Sequence, residues 1–246
     1  MKLAGKTDIG NVRKENQDNY RAVRLPDDTV WAAVCDGMGG AAAGRLASQV
    51  ATDKLEDCLS GVLPKLAQGQ ERLLLLKSIA TANRAVYDES RKEEAHRGMG
   101  TTVVSVLVRD GTAHIAHVGD SRAYLCRQGA LTQLTRDHSM VEQLVESGQL
   151  TPEQAEKHPR KNLITKALGI EPEVEPDYKN IPVENGDILL LCSDGLSGSL
   201  SEEKMLEILV RTPFFAIPRK LVESALREGG QDNITALVIG VEPTEE

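Results

Sequence analysis

The feature that most constrains this fold is an apolar run that ends abruptly in an aspartate and a group of glycines. Residues 30–34 (VWAAV) are apolar throughout, and residues 36–40 read DGMGG. The run predicts a buried strand, and the glycines predict a turn where backbone passes close to another group. A carboxylate at the end of a buried strand is costly unless a cation or hydrogen-bond donors meet it. Asp36 is therefore a candidate cation ligand.

The same construction occurs again along the chain. The run 188–193 (ILLLCS) ends in Asp194-Gly195, and the run 114–119 (HIAHVG) ends in Asp120. Asp232 also stands where a loop meets a predicted strand. Mg²⁺ and Mn²⁺ prefer carboxylate ligands of this kind. These strand-end aspartates predict a site where carboxylates converge on hard metal ions.

Such a metal site favours chemistry at phosphorus. Two ions about 3.5–4 Å apart can lower the pKa of a bridging water and stabilise an in-line displacement. The site also needs a cation for the phosphoryl group, and a guanidinium meets phosphate in a bidentate manner. Arg13 is the candidate, and it lies in the polar stretch 7–20, which reads as a loop dense in possible metal or phosphate ligands.

Composition argues against several classes of protein. A net charge of −8 in 246 residues argues against a nucleic-acid or anionic-membrane binder, which would need a basic face. No apolar run approaches the roughly 20 residues that span a bilayer, so no membrane insertion is expected. The start of the chain lacks a signal-peptide core. The four cysteines, at 35, 58, 126 and 192, have no zinc or redox spacing. A cytoplasmic setting with free thiols follows.

The order of patterns along the chain predicts one domain, residues 1–246, without internal repeat or linker. Helical periodicity and β-rich runs alternate, and a helical block interrupts the β-rich part. The predicted helices are 46–59, 73–93, 139–147, a short one from 151, 202–210 and 217–227, and the predicted strands are 30–34, 101–108, 114–119, 122–127, 131–135, a run from 188 and 234–241.

A dinucleotide-binding loop is the competing interpretation of the glycines. Residues 37–42 (GMGGAA) match G-x-G-x-x-A between a strand and a helix. However, Asp36 would direct a carboxylate at the pyrophosphate. The acidic residue expected about 20 positions later would be Glu56 or Asp57, and both fall inside a predicted helix. An oxidoreductase with a nicotinamide or flavin cofactor is therefore the weaker alternative.

Seven motifs in order give the chain a recognisable identity. They are 7–18 (TDIGNVRKENQD), 36–40 (DGMGG), 98–102 (GMGTT), 118–122 (VGDSR), 134–139 (LTRDHS), 193–196 (SDGL) and 232–235 (DNIT). With these motifs the chain resembles the metal-dependent protein phosphatase 2C family in its compact bacterial form. The resemblance implies an α+β fold, in which a central β-sandwich of two antiparallel sheets is flanked by helical pairs and carries a helical flap at about 139–165.

The resemblance also implies roles for single residues. Asp36 would bridge two Mn²⁺ or Mg²⁺ ions, and the Gly37 carbonyl would ligate one of them. The other ion would be held by Asp194 and Asp232, whereas Asp18 would act mainly through water. The remaining implied roles are a third ion for Asp120 together with Asp194, and phosphate binding for Arg13.

The implied function is hydrolysis of phosphoserine and phosphothreonine in proteins by a water activated at this binuclear centre, without a phospho-enzyme. The implied partners are phosphoproteins and a eukaryotic-type Ser/Thr kinase, and the expected state is a monomer. Two departures keep an alternative open, a pseudophosphatase that binds phosphoproteins with little or no turnover. Gln17 stands where many members carry Glu, and Met38 stands where some carry a proton-donating His.

Other side chains could compensate for, or regulate, such a centre. His138 and His158 are candidate proton donors, although a structural role is the stronger expectation for each. His117 is expected to be a core residue of its strand. Cys35 and Cys192 lie beside the aspartates, so their oxidation could disturb the metals, but small buried hydrophobes are the simpler interpretation.

Overall fold

The structure is a computed structural model that describes residues 1–242, apart from the side chains of residues 41, 42 and 156. Strands and helices follow one another in runs, and one helical segment lies between the eighth and ninth strands. The strands are β1 Lys2–Asp8, β2 Asp18–Arg24, β3 Val30–Met38, β4 Gly100–Thr101, β5 Val103–Arg109, β6 Thr112–Val118, β7 Arg122–Arg127, β8 Ala130–Gln133, β9 Asp177–Pro182, β10 Ile188–Cys192 and β11 Ile234–Gly240. The helices are α1 Ala41–Ser60, α2 Glu71–Glu89, α3 Met140–Glu146, α4 Pro152–Glu156, α5 Asp194–Ser197, α6 Glu202–Arg211 and α7 Ile217–Arg227.

The strands form two antiparallel sheets. One sheet has the order β1-β11-β10-β7-β8, and the other has the order β2-β3-β5-β6-β9 with β4 paired to β3. Their facing sides share an apolar core, which includes Val34 of β3, Leu191 of β10 and Leu237 of β11. The predicted sandwich of two antiparallel sheets is confirmed.

Residues 30–35 of strand β3 are all apolar because both faces of this part of the strand are buried. Side chains alternate across a strand, so Val30, Ala32 and Val34 face the other sheet. The intervening Trp31, Ala33 and Cys35 pack on α1 and α2 instead. On the other sheet, β10 and β11 divide in the same way between the inner core and the pair α6 and α7. The molecule therefore has helices outside both sheets.

The structure corrects several local predictions. The stretch 7–20 is not one loop, because β1 continues to Asp8 and β2 begins at Asp18. Strand β9 was not predicted, and α2 ends at Glu89 rather than near residue 93. These strands are largely polar, and they form because β1 pairs with β11, β2 with β3, and β9 with β6. Pairing with distant sequence overrides a weak local pattern.

The dinucleotide-binding alternative is wrong, because the strand before the glycines lies in an antiparallel sheet rather than a parallel one. Glu56 and Asp57 lie within α1, as predicted. The helical flap lies between β8 and β9 and contains α3 and α4. Among residues 1–242, no helix combines the length and the apolar character needed to cross a bilayer.

Candidate metal centre

Both sheets deliver carboxylates to one end of the sandwich. On the sheet β2-β3-β5-β6-β9, Asp36 lies within β3 and is paired in register with Asp18 of β2. On the other, Asp194 follows β10 as the first residue of α5, and Asp232 stands just before β11. The prediction that Asp36 ends its strand is wrong by two residues, since Gly37 and Met38 pair with β4. The predicted convergence of aspartates is nevertheless found.

The backbone of Asp36 is fixed by hydrogen bonds to Thr101 and Thr102. Its N–H donates to Thr102 Oγ1 at 3.0 Å, and its carbonyl accepts from the Thr102 N–H at 2.8 Å and from Thr101 Oγ1 at 2.8 Å. These bonds fix the backbone of Asp36, so only its side chain can change position. The side chains of Asp36 and Asp194 line the same cavity.

Asp18 is held from the opposite sheet. It is 7% exposed, and its Oδ2 accepts from Ser193 Oγ at 2.7 Å and from Thr235 Oγ1 at 2.6 Å. Its Oδ1 is buried and has no hydrogen-bond partner among residues 1–242. The sequence analysis gave Ser193 and Thr235 no role, although both lie in recognised motifs. Their hydroxyls orient Asp18 so that one oxygen remains available.

Gly37 permits a close approach of backbone that no other residue allows. A Cβ at this position would lie 2.0 Å from the carbonyl oxygen of Gly44. The first turn of α1 therefore packs directly on β3 beside Asp36. Gln17, the departure noted in the sequence, donates from Nε2 to the Gly40 carbonyl at 2.8 Å, so it supports the same turn.

Burial, followed by the charges of neighbouring aspartates, raises the pKa values of these carboxylates. Burial raises the pKa of Asp18 to about 7, and the charges of Asp194 and Asp232 act in the same direction. Burial likewise raises the pKa of Asp120 to about 7, with Asp194 as the main charged neighbour. The pKa of Asp36 lies well above its ordinary value, because of burial and then the neighbouring aspartates. The pKa of Asp194 is raised as well, by burial and Asp232.

These carboxylates fit divalent cations. Asp194 Oδ1, like Asp18 Oδ1, is buried without a hydrogen-bond partner within the described chain. Buried oxygens of this kind are costly unless a cation or proton meets them. Hard cations bind oxygen ligands, and several crowded carboxylates supply both the ligands and the charge.

A cavity of about 470 Å³ opens over the centre. Arg13 lies at its exposed side, and its Nη2 is 2.7 Å from Asp232 Oδ2. Asn233 holds the loop that carries Arg13, because its Nδ2 donates to the carbonyls of Ile9 and Glu15 at 2.9 Å each. The predicted site residues that line the cavity are Arg13, Asp36, Gly37, Asp120, Asp194 and Asp232.

The remaining candidates lie in different positions. Met38 lines the cavity, whereas neither His138 nor His158 does. From the flap, Asn162 and Ile164 reach the cavity, which the sequence analysis did not anticipate. A separate cluster combines His117, buried as expected, with His138 and the exposed Asp177, whose ligand atoms lie within 4.8 Å of one another.

Comparison with known proteins agrees with this architecture. The profile of the family described as protein phosphatase 2C matches residues 11–237. The serine/threonine phosphatase stp of Listeria monocytogenes serotype 4b (strain F2365) is 38% identical over 242 residues, which cover 98% of this chain and 96% of that protein. The chain therefore belongs to the protein phosphatase 2C family, which confirms the recognised family and the enzyme class, a metal-dependent protein phosphatase.

Solved structures resemble the chain equally closely. The S. agalactiae serine/threonine phosphatase superposes with a TM-score of 0.90 at 36% identity, covering 98% of this chain and 99% of that one. The catalytic domain of the serine/threonine protein phosphatase PstP, in complex with two manganese ions, gives a TM-score of 0.86 at 37% identity and covers 98% of each chain. The predicted fold class is thus confirmed by both comparisons.

Proposed function

We propose that this protein hydrolyses phosphoserine and phosphothreonine in proteins, using Mn²⁺ or Mg²⁺ held by its aspartates and forming no phospho-enzyme. The observation that carries the proposal is the convergence of crowded carboxylates on a cavity with a guanidinium at its open side. Family membership and the manganese-bound relative agree with this assignment.

Each aspartate has a distinct role in the proposal. Asp36 would hold two ions, with the Gly37 carbonyl as a further ligand of one of them and Asp194 and Asp232 as ligands of the other. Asp18 would contribute through water from its available Oδ1, which the hydroxyls of Ser193 and Thr235 leave unpaired. A third ion would be held by Asp120 together with Asp194.

When bound, such ions lower the pKa of water and offset the negative charge of a phosphoryl group. Arg13 binds the phosphoryl oxygens, and its contact with Asp232 holds the guanidinium at the centre. Met38 has no proton to give, so it acts only as part of the cavity wall. Of the residues that line the cavity, Thr102 carries a hydroxyl, but its Oγ1 accepts from Asp36 N–H and contacts Ser121 Oγ at 2.7 Å. This engagement supports direct attack by water.

A second candidate function is a pseudophosphatase that binds phosphoproteins without turnover. Met38 at the cavity wall is the observation that favours it, since the leaving group lacks a proton donor there. The buried oxygens Asp18 Oδ1 and Asp194 Oδ1, which have no hydrogen-bond partner among the described residues, favour turnover instead, because they fit a bound cation.

The setting of the enzyme completes the proposal. The four cysteines are all free, which supports a reducing, cytoplasmic compartment. The candidate ligands come from both sheets of one sandwich, which supports a single domain, and the expected state is a monomer. The substrates are phosphoproteins, and the reaction that supplies them is phosphorylation by a eukaryotic-type Ser/Thr kinase.

Release of phosphate from a phosphothreonine peptide tests the proposal. We expect turnover with Mn²⁺ or Mg²⁺ and none in excess chelator. Turnover that persists in chelator would contradict the metal-dependent mechanism. An aryl phosphate with Mn²⁺ distinguishes the second candidate, because a pseudophosphatase would bind the phosphopeptide but would release phosphate from neither substrate.

A further inference from the structure

The cluster of His117, His138 and Asp177 has the composition of a zinc site, but its hydrogen bonds argue against one. His138 Nδ1 accepts from the Gly119 N–H at 3.1 Å, so in the neutral ring the proton is on Nε2. That Nε2 is the atom 3.1 Å from Asp177 Oδ1. A protonated nitrogen has no lone pair for a metal, and this Nε2 is near Asp177 without the geometry of a hydrogen bond.

The neutral state of the His138 ring is supported by its surroundings. Burial lowers its pKa, and neighbouring His117 and Lys166 lower it further. The ring stacks on His117 with centroids 4.8 Å apart, while His117 Nε2 lies 2.7 Å from the Arg136 carbonyl. The side chain of His138 is 10% exposed. The ring is therefore a fixed, neutral acceptor facing Gly119.

Two hydrogen bonds from His138 bracket the residue before Asp120. Its backbone N–H donates to the Gly119 carbonyl at 3.0 Å, and its ring accepts from the Gly119 N–H. Gly119 has a φ of +104°, and a Cβ there would lie 2.6 Å from Thr102 Cγ2, so this turn has little alternative packing. On the other side of Asp120, Ser121 is tied to Thr102. The backbone of Asp120 is held from both sides.

His138 also anchors the flap. The carbonyl of His138 accepts from the Thr165 N–H at 2.7 Å, and the adjacent Ser139 pairs with Ile164. Ile164 lines the cavity. The end of the flap and the Asp120 turn thus share one attachment point.

From this geometry we propose that His138 is a positioning residue, whose ring nitrogen Nδ1 holds the Gly119–Asp120 turn so that Asp120 can bind the third ion. It does not touch substrate or donate the leaving-group proton. The proposal rests on the proposed function, because that function supplies the ion at Asp120. Its effect falls first on the ion at Asp120, because the backbone of Asp36 has further hydrogen bonds to Thr101 and Thr102.

Two polar substitutions separate the ring nitrogens. In His138→Asn the amide oxygen can stand near the position of Nδ1, whereas in His138→Gln it reaches the position of Nε2. Mn²⁺ binding is counted from the electron paramagnetic resonance signal of free Mn²⁺. We expect Asn to retain the third ion within about twofold, and Gln to weaken it about tenfold or more while the two tighter ions are unaffected. In an Asp120→Asn background, Gln should cause no further loss.

Three outcomes would overturn the positioning role: a Gln variant that binds the third ion like wild type, an Asn variant that loses it equally, or additive losses with Asp120→Asn. Asp177→Asn provides a test even if the Gln variant does not fold. It leaves the bonds to Gly119 intact, so we expect the wild-type third affinity. A tenfold loss would mean that the ring acts through Asp177 instead. A wild-type protein that binds no Mn²⁺ would refute the proposed function itself.

Discussion

A buried carboxylate stands at each end of strand β10, and the two are compensated in opposite ways. Before the strand, Asp187 is 2% exposed and accepts from Arg127 Nε at 2.9 Å and Nη2 at 2.6 Å. It also accepts from the Glu184 N–H at 2.8 Å. After the strand, Asp194 has a buried oxygen without a hydrogen-bond partner in the described chain, and other aspartates crowd it. Arg127 therefore compensates the charge of Asp187, whereas the charge of Asp194 has no such partner among the described residues.

The difference shows what distinguishes a structural carboxylate from a ligand. A buried carboxylate costs several kcal/mol unless it is paired. At Asp187 an arginine supplies the compensation, so nothing from solution is needed. At Asp194 the fold supplies further negative charge instead. Such an arrangement is stable only when protons or cations from solution complete it, and burial alone is therefore not the signature of the site.

The sharpest test of this comparison is the same substitution at Asp36 and at Asp187. Asp36→Asn removes a ligand proposed to serve two ions, so phosphate release with Mn²⁺ should fall about a thousandfold or more. Asp187→Asn should keep wild-type turnover per folded molecule, because its partners do not reach the cavity. Comparable activity in the two variants would contradict the distinction between a ligand carboxylate and a structural carboxylate.

The metal-free protein should lose stability as pH rises. The pKa values of Asp18 and Asp120 are raised from 3.8 to about 7, so between these values the folded state binds more protons than the unfolded state. The free energy of unfolding then falls with rising pH, from its full value below about pH 4, by at least about 2 kcal/mol.

Three histidines, His114, His117 and His138, have lowered pKa values and titrate in the opposite sense, so this slope is measured as a difference. Wild type and Asp120→Asn are unfolded with denaturant from pH 5 to pH 8 in chelator, and again with saturating Mn²⁺. The wild-type protein should lose more stability than the variant in chelator, and Mn²⁺ should remove that difference. Parallel curves in chelator would show that the pKa of Asp120 is not raised in the folded protein.

Thermal unfolding should respond with opposite signs at the two ends of β10. Asp187→Asn breaks a buried ion pair, and the midpoint should fall by about 5 °C. Asp194→Asn removes repulsion, so in chelator its midpoint should equal or exceed that of wild type. Differential scanning calorimetry of both variants measures this. A large loss of stability in metal-free Asp194→Asn would contradict the interpretation.

Arg13 is the cation that the site does provide, and its replacement should have a smaller effect. Arg13→Lys keeps the charge but loses the forked geometry, so the KM for a phosphopeptide should rise about tenfold with a lesser change in kcat. Steady-state kinetics separate the two parameters. Lys14→Arg at the neighbouring cavity residue is the control, and an unchanged KM in Arg13→Lys would remove Arg13 from phosphate binding.

The smallest effect is expected at the two cysteines beside the aspartates. Burial raises the pKa of Cys35 far above that of a free thiol, and raises the pKa of Cys192 to about 12. Both remain thiols at neutral pH, and the thiolate is the reactive form. Peroxide should therefore leave metal-dependent activity unchanged. Inhibition that Cys35→Ser abolishes would revive a redox role.

The sequence predicted the aspartate centre better than it predicted its supports. Asp36 and Asp194 follow apolar runs, and such runs form buried strands almost regardless of their partners. Asp187 also borders the run that leads to Asp194, yet its structural role was not predicted, because its partner Arg127 is distant in sequence. The local pattern is the same at both ends of the strand, and only the tertiary partner differs.

Strands without a local signal were missed for a related reason. Strand β1 (KLAGKTD) is half polar, and its identity comes from the register with β11, in which Thr7 pairs with Thr235. His138 was a candidate proton donor, but the fold directs its ring to Gly119. Residue chemistry can be read locally, whereas orientation depends on pairings made across the whole chain.

Strand β11 has a consequence for how the protein is made. It follows every other strand along the chain, yet it lies inside its sheet between β1 and β10, and it carries the Thr235 hydroxyl that orients Asp18. Until a ribosome has released this segment, neither the sheet nor the ligand set can close. A nascent chain should thus be unable to act on phosphoproteins at any earlier stage of synthesis.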